Sequence, residues 1–161
     1  MPDLPGISVQ PGQLYLARDP MILQTILGSC VGVTFWSERL GAGALCHGVL
    51  PRCPRGSVTS EGHRYVDFSI RYLAGQFDAL GARRQDVEVK LFGGGSMFPE
   101  HHMKPGVADV ALRNVEAAHS LVAKHNLNLM AQDLGLTGHR AVNFDIQSGH
   151  AWVRHQQLKQ G

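Results

Sequence analysis

The feature that most constrains the fold is a pair of short apolar segments, residues 31–36 and 44–51, separated by a turn. In the first, VGVTFW, the residues alternate, so that Val31, Val33 and Phe35 share one face and Gly32, Thr34 and Trp36 the other. This alternation is the period of a β-strand. The second segment, ALCHGVLP, follows the turn-forming SERLGAG and ends at a proline. Together the two segments predict a β-hairpin.

The rest of the chain supplies further strands and two helices. Short strands are predicted at residues 13–19, 21–27, 87–92, 127–133, 139–146 and 150–156. Helical periodicity covers residues 66–82, with Gly81 as a C-cap, and residues 107–126. Strands joined by tight turns beside two longer helices predict an α+β fold. We expect a single domain, residues 1–161, whose antiparallel-rich sheet packs against the two helices.

Composition excludes several classes of protein. The net charge of +2 over 161 residues, with Lys and Arg scattered, does not favour a nucleic-acid-binding protein. The longest apolar runs are too short to cross a membrane, and residues 1–10 lack the pattern of a signal peptide. Three cysteines cannot form a full disulfide framework. We therefore expect a cytoplasmic protein with free thiols.

The predicted hairpin contains a cysteine and a histidine, Cys30 at the start of its first strand and His47 in its second. Alternate strand residues share a face, so a register that sets residue 30 opposite residue 47 or 49 places both side chains together. Opposed Cβ atoms lie about 5 Å apart and diagonal ones about 7–8 Å. A shift of one residue would separate the two side chains, and the sequence alone leaves this register open.

These residue types suit a thiol nucleophile and its base. A free cysteine with a pKa near 8.5 is only a few per cent thiolate at neutral pH, and a neighbouring imidazole activates it by taking its proton. Gly28 and Ser29 predict a turn whose backbone N–H groups could face an oxyanion. The hydroxyl of Thr25 is a candidate for orienting the imidazole. The alternative is that Cys30 is an ordinary core residue, because cysteine is among the most buried residue types.

Metal binding is a weaker interpretation of the same region. Four potential ligands are close in sequence: Cys46, His47, Cys53 and His63. No C-x-x-C pair is present and the spacing matches no common zinc pattern, so we predict no metal and treat Cys46 and Cys53 as structural. His101 and His102 are adjacent, so their rings would point apart in an extended chain, and we expect them in a solvated loop.

The glycine-rich segment FGGGSMF, residues 92–98, also has two interpretations. Backbone N–H groups of such turns can bind phosphate, but neither G-K-[ST] nor G-x-G-x-x-G is present. We therefore expect a tight turn that lets the backbone pass close to another element. In its functional variant, Gly94 and Gly95 line the pocket in front of Cys30.

Several motifs occur in one order along the chain: LGSCVGV at 27–33, CHGVLP at 46–51, KLFGGGSMF at 90–98, RNVEAAHSLV at 113–122, AQDLG at 131–135 and HRAVNFDIQSGHAWVR at 139–154. This combination closely resembles the chemoreceptor glutamine deamidase family, CheD. The resemblance extends from about Gln13 to Arg154. Each motif alone is modest, and their combination is specific.

The resemblance implies a fold, an activity and a site. It implies helices packed on layers of β-sheet, similar to the catalytic core of deamidating bacterial toxins. It implies hydrolysis of particular glutamine side-chain amides on the helical cytoplasmic domain of chemotaxis receptors, without metal or cofactor. Under this resemblance Cys30 is the nucleophile, His47 its base and Thr25 the third member. Gln24 takes the place of Thr25 if the spacing differs by one residue.

The resemblance also implies partners. Receptors would be the substrate, and some members of the family bind a CheC-type phosphatase. The competing hypothesis is a non-catalytic binding module for that phosphatase or for a receptor. A third and weaker one is acyl transfer to an amine in place of water.

The chain departs from the family pattern in two places. Where the family often has Asp-x-Gly-Gly, this chain has Asp133-Leu134-Gly135-Leu136. The loop 51–63 contains an unusual PRCPRG, and the cysteine in it has no family counterpart. Both departures lie outside the expected triad and bear on substrate fit or partner choice.

Overall fold

The computed structural model describes residues 4–55, 59–98 and 109–159. Within these residues the strands are β1 (Gly6–Ser8), β2 (Leu14–Ala17), β3 (Ile22–Leu27), β4 (Val31–Ser37), β5 (Ala42–Gly48), β6 (Glu88–Gly93), β7 (Asn128–Leu134), β8 (His139–Asp145) and β9 (Ala151–Gln156). The helices are α1 (Thr59–Gly62), α2 (Val66–Ala79) and α3 (Val110–Lys124). The predicted loop residues His101 and His102 lie outside the described part of the chain.

The strands form two sheets, which confirms the α+β prediction. One sheet has five strands in the order β2-β5-β4-β6-β7, and the other has four in the order β1-β3-β8-β9. The helices α2 and α3 pack on one face of the five-stranded sheet, where Val33 and Phe35 join the core. The four-stranded sheet covers the other face, where Leu45 packs against Leu23 and Phe144. The molecule therefore has three layers: helices, five-stranded sheet and four-stranded sheet.

The predicted hairpin is β4–β5, and it lies inside the five-stranded sheet. Every residue of β5 is buried, and in β4 only Trp36 is partly exposed. Burial on both faces follows from the layers on either side, since each face of the hairpin packs against another layer. Side chains that alternate along these strands therefore point either to the helices or to the second sheet.

Both main helices lie within the predicted segments and end two or three residues before the predicted ends, α2 at Ala79 and α3 at Lys124. The stripe of α2 faces the sheet, and Gly81 follows the helix with φ +90°, a left-handed conformation that favours glycine. The side chain of Asp109 caps α3 by accepting a hydrogen bond from the N–H of Leu112 at 3.2 Å. The predicted residues 107 and 108 lie outside the described residues.

Several features were not predicted. Strand β1 is only three residues long and pairs in parallel with β3, so it has too few residues to show a period. Residues 59–62 form the short helix α1 within a segment predicted as loop. The strands β2 and β3, adjacent in sequence, belong to different sheets, which places β3 across from β5 rather than beside β2.

Candidate active site

The register of the hairpin places Cys30 and His47 on one face. Gly32 lies opposite His47, and Val31 opposite Gly48. Cys30 directly precedes this ladder, two residues before Gly32, so the alternation of the strand places it on the face of Gly32 and diagonal to His47. Diagonal Cβ atoms in such a ladder are typically about 7–8 Å apart. The thiol packs beside Leu27, at the edge of the space between the sheets.

Gly32, the residue opposite His47, has no space for a side chain. A Cβ at Gly32 would lie 2.9 Å from a methyl group of Leu27, which already fills the space over this position. The backbone of His47 is fixed from the other side, because its N–H donates to the carbonyl of Gln13 and its carbonyl accepts from Gly12 N–H, both at 3.0 Å. The backbone of the histidine is therefore held on both sides, by β4 and by residues 12 and 13.

A threonine of the second sheet contacts the imidazole. Thr25 Oγ1, on the inner face of β3, lies 2.7 Å from His47 Nδ1. Gln24, the neighbouring residue, points to the outer face, where its Nε2 donates to Asn143 Oδ1 at 2.8 Å. Of the two residues considered for this position, Thr25 is therefore the one in contact with the ring.

The hydrogen bonds of Thr25 determine the tautomer of His47. The threonine hydroxyl carries one proton and donates it to the carbonyl of Val9 at 2.7 Å, because a carbonyl can only accept. The same oxygen must then accept from His47 Nδ1, 2.7 Å away. The ring therefore carries its proton on Nδ1, and Nε2 has a free lone pair. This is the tautomer that a general base requires.

Burial favours the neutral forms of both groups. It raises the pKa of the half-buried Cys30 thiol, an effect that the backbone N–H of the same residue opposes. Burial also lowers the pKa of His47, and the backbone of Val9 opposes that shift. Both shifts act in the same direction, towards an uncharged thiol and an uncharged imidazole.

The glycine turn supports the cysteine loop. Gly94 N–H donates to the carbonyl of Cys30 at 2.8 Å, and Gly95 N–H donates to that of Gly28 at 2.9 Å. Gly93 has φ +104°, and a Cβ there would overlap the carbonyl oxygen of Cys30. The N–H groups of Gly94 and Gly95 are thus already bonded within the protein, and the turn packs directly against residues 28–30.

Two buried polar side chains complete this region, and the sequence reasoning missed both. Asn114 of α3 donates through Nδ2 to the carbonyls of Ser29 and Val49, each at 3.0 Å. Arg140 of β8 is fully buried and donates to Asp133 Oδ1 at 3.0 Å and to the carbonyl of Gly93 at 3.2 Å. A polar residue on the apolar stripe of a helix or strand was the available signal for each.

The candidate metal ligands are dispersed. Cys46 points to the helix side, into the apolar core, while His47 points to the second sheet. The ring of His63 packs against Phe68 and Tyr72 in tilted arrangements. Across the described residues, no three histidine, cysteine, aspartate or glutamate side chains are grouped so as to hold a metal ion.

None of the helices described in the structure is both long and apolar enough to span a membrane.

Comparison with known proteins gives one family. The family model described as CheD chemotactic sensory transduction matches residues 49–155. A protein of Pseudomonas savastanoi pv. phaseolicola is 44% identical over 153 residues, covering 95% of this chain and 86% of its own. One of Pseudomonas fluorescens is 41% identical, covering 94% and 85%. Both carry the name probable chemoreceptor glutamine deamidase CheD.

A more distant relative and a solved structure extend the comparison. A Geobacter sulfurreducens protein, named probable chemoreceptor glutamine deamidase CheD 2, is 35% identical over 95% of this chain and 91% of its own. The crystal structure of Neisseria meningitidis protein NMB0706 matches with a TM-score of 0.50 at 10% identity. That match covers 83% of this chain and 64% of the other, and it concerns the fold alone.

Proposed function

Because this chain belongs to the CheD family, we propose that it is a protein-glutamine deamidase acting on chemoreceptors in the cytoplasm. It hydrolyses glutamine side-chain amides to glutamate and ammonia. The relatives' names supply the substrate class, and the geometry around Cys30 supports the chemistry. The observation that carries the proposal is the Thr25–His47 hydrogen bond, because it leaves Nε2 unprotonated on the face that His47 shares with Cys30.

In the first half of the reaction the thiol becomes an acyl carrier. His47 Nε2 takes the proton of Cys30 while Sγ attacks the carboxamide carbon, and the C=O electron pair moves onto oxygen. Backbone N–H groups at Ser29 and Cys30 stabilise this oxyanion. As the tetrahedral intermediate collapses, the C–N bond breaks and the imidazolium gives its proton to the leaving nitrogen. Ammonia departs and a thioester remains.

In the second half water replaces the amine. Neutral His47 takes a proton from water, whose oxygen attacks the thioester carbon. The C–S bond then breaks, the sulfur recovers the proton from the imidazolium, and glutamate is released. Thr25 acts through His47: it holds Nδ1–H in both halves and stabilises the orientation of the ring. The proposed reaction requires neither a metal nor a cofactor.

The test is ammonia release and the mass gain of deamidation on a receptor cytoplasmic fragment. We expect Cys30→Ser and His47→Ala to lower the rate by at least about 10³-fold, because each removes a group that acts in the chemical step. Cys53→Ser is the matched control, since that half-buried cysteine lies in the loop after β5. Rates like those of the wild type in either active-site variant would contradict the mechanism.

The same assay separates the enzyme from a binding module. A wild-type protein that binds the receptor fragment, with no mass gain in the fragment, would favour a non-catalytic role. A CheC-type phosphatase is proposed as a second partner on the family resemblance alone. Its effect is measured by adding the phosphatase to the deamidation assay and by co-purification with Cys30→Ser.

A further inference from the structure

Asn114 is a buried side chain that joins both arms of the candidate site. Its side chain is inaccessible to solvent, and Nδ2 uses its two protons on two carbonyls, Ser29 O and Val49 O, each at 3.0 Å. Ser29 precedes Cys30, and Val49 lies two residues after His47. A single carboxamide on α3 therefore binds next to the nucleophile and next to the base.

The orientation of this carboxamide is unambiguous. Exchanging its oxygen and nitrogen would set Oδ1 against two carbonyl oxygens, and three acceptors without a proton between them repel. In the observed orientation Oδ1 is buried and has no partner among the described residues. The two donor bonds must therefore hold the side chain at the cost of an unsatisfied acceptor.

The hydrogen bonds of Asn114 lie just beyond the end of the β4–β5 ladder. The β4–β5 pairing ends at Val31 and Gly48. The carbonyls of Ser29 and Val49 lie just beyond this pair, on the two strand ends. Buried carbonyls need hydrogen-bond donors. Beyond the last pair of the ladder, the side chain of Asn114 donates the hydrogen bonds to these two carbonyls. The cysteine loop and the end of β5 are thereby fixed relative to each other.

The bond to Ser29 has a consequence for the next N–H. A trans peptide is planar, with its C=O and N–H pointing in opposite directions, and the described residues include no cis peptide. The carbonyl of Ser29 points to α3, so the N–H of Cys30 must point away from the helix. It therefore points to the side of the sheet on which the side chains of Cys30 and His47 lie.

We infer that Asn114 is a positioning residue for the deamidation reaction: by holding the Ser29 carbonyl, it aims the Cys30 N–H at the oxyanion. This role rests on the proposed function. It acts through the Ser29–Cys30 peptide, and Asn114 itself touches no substrate atom. Removing its donors frees that peptide to rotate and misplaces an oxyanion donor while His47 and the thiol stay in place.

The experiment compares Asn114→Ala with Val122→Ala, a truncation in the same helix that shortens a buried side chain of the helix-side core. For each variant we would measure the melting temperature, kcat and KM on a receptor fragment, and the rate at which iodoacetamide alkylates Cys30. Alkylation develops no oxyanion, so it reports whether the thiol and its base are intact without the step that Asn114 affects.

We expect Asn114→Ala to lower kcat about 10²-fold, near the effect of losing one oxyanion donor. KM and the alkylation rate should stay within about threefold of the wild type. Val122→Ala should lower the melting temperature and leave kcat within about threefold. If Asn114→Ala does not fold, Asn114→Ser replaces it, because a serine hydroxyl can bond its own helix and is too short to hold both carbonyls.

Two results would overturn the role of Asn114. One is a kcat for the Asn114 variant within about threefold of that of Val122→Ala. The other is a fall in alkylation equal to the fall in kcat, which would mean that the whole site is disturbed. Absence of turnover in the wild-type protein would instead overturn the proposed function, and the role of Asn114 with it. The two failures are therefore distinguished by the wild-type sample.

Discussion

The two faces of the five-stranded sheet differ in what they bury, although the same strands form both. On the helix side Cys46 lies in an aliphatic and aromatic core, and burial raises its pKa to about 12. On the other side His47, the next residue, is bonded to Thr25 across the gap between the sheets. A shift of one residue along β5 thus separates a thiol buried in the apolar core from the histidine of the proposed active site. Because successive side chains of a strand point to opposite faces, the polar hydrogen-bonded residue and the apolar core residue lie on different sides of the same sheet.

The largest expected effect is on the two cysteines themselves. In a Cys53→Ser protein, iodoacetamide should alkylate Cys30 at least about 10³-fold faster than Cys46. Cys46 is fully buried and reacts only when its surroundings unfold, which costs several kcal/mol. Mass spectrometry of the digested protein over time measures both rates at once. Rates within about tenfold of each other would show that the helix-side core opens easily, and would contradict the difference in accessibility between the two cysteines.

The next largest effect is expected from the hydrogen bond between Thr25 of the four-stranded sheet and His47 of the five-stranded sheet. Thr25→Val keeps the shape and removes the hydroxyl, so Nδ1–H of His47 loses its acceptor and Val9 its donor. We expect kcat/KM to fall about 10- to 100-fold and the free energy of unfolding to fall by about 1–3 kcal/mol. Steady-state kinetics and thermal melting measure these quantities. Thr25→Ser is the matched control, because it keeps the hydroxyl and should retain most of the activity.

The pH dependence distinguishes the two sides through two histidines. Burial lowers the pKa of His47 between the sheets and of His125 at the end of α3. The ordinary histidine pKa is about 6.5. Below that pH the unfolded chain binds more protons at these two residues than the folded protein does, so their contribution to the free energy of unfolding is complete only above about pH 6.5. This stability is lost as the pH falls through the lowered pKa values.

Only His47 should also control activity. The acid limb of kcat/KM should therefore lie below pH 6.5, and the rate of Cys30 alkylation without substrate should keep rising above the ordinary thiol pKa. His125→Asn should reduce the loss of stability in acid and leave the acid limb of kcat/KM unchanged. An alkylation rate already at its maximum near pH 6 would indicate a preformed thiolate–imidazolium pair, contrary to the uncharged forms that burial favours.

The sequence predicts what depends on local alternation. The hairpin, its two faces and the helical stripe of α2 follow from patterns within about twenty residues. The sequence leaves the register of the hairpin open, because it does not fix which residues of the two strands pair, although a slip of one residue would move side chains to the opposite face. The observed pairing of Gly32 with His47 matches the register in which Cys30 and His47 share a face.

Contacts between layers were beyond reach of the same patterns. Choosing between Thr25 and Gln24 requires knowing that β3 belongs to the four-stranded sheet and packs across β5. The preceding strand, β2, belongs to the five-stranded sheet. The bond from Asn114 to Ser29 joins residues 85 positions apart. Such contacts depend on how whole elements dock, and the sequence showed only polar residues at positions where the period predicts apolar ones.

The smallest effect is expected at the departure from the family pattern. Leu136 has φ +57° and is 65% exposed, and a side chain in this left-handed conformation costs about 1–2 kcal/mol. Leu136→Gly removes that strain but adds freedom to the unfolded chain, so we expect a net gain of about 0.5–1 kcal/mol. In a chain of this size that gain raises the melting temperature by roughly 1–4 °C. Leu136→Ala keeps the Cβ and should give no gain.

The kinetics of Leu136→Gly then test whether the surface that binds the substrate includes the loop at Leu136. The carbonyl of Leu136 accepts from Ser96 N–H at 2.8 Å, and Gly135 N–H donates to the carbonyl of Gly93 at 2.9 Å, so this loop supports the glycine turn behind Cys30. Both bonds use backbone atoms, which glycine retains, so kcat and KM should stay within about twofold. A rise in KM in both Leu136→Gly and Leu136→Ala would mean that the exposed leucine itself contacts the receptor. The substrate surface would then extend from Cys30 across the glycine turn to this loop.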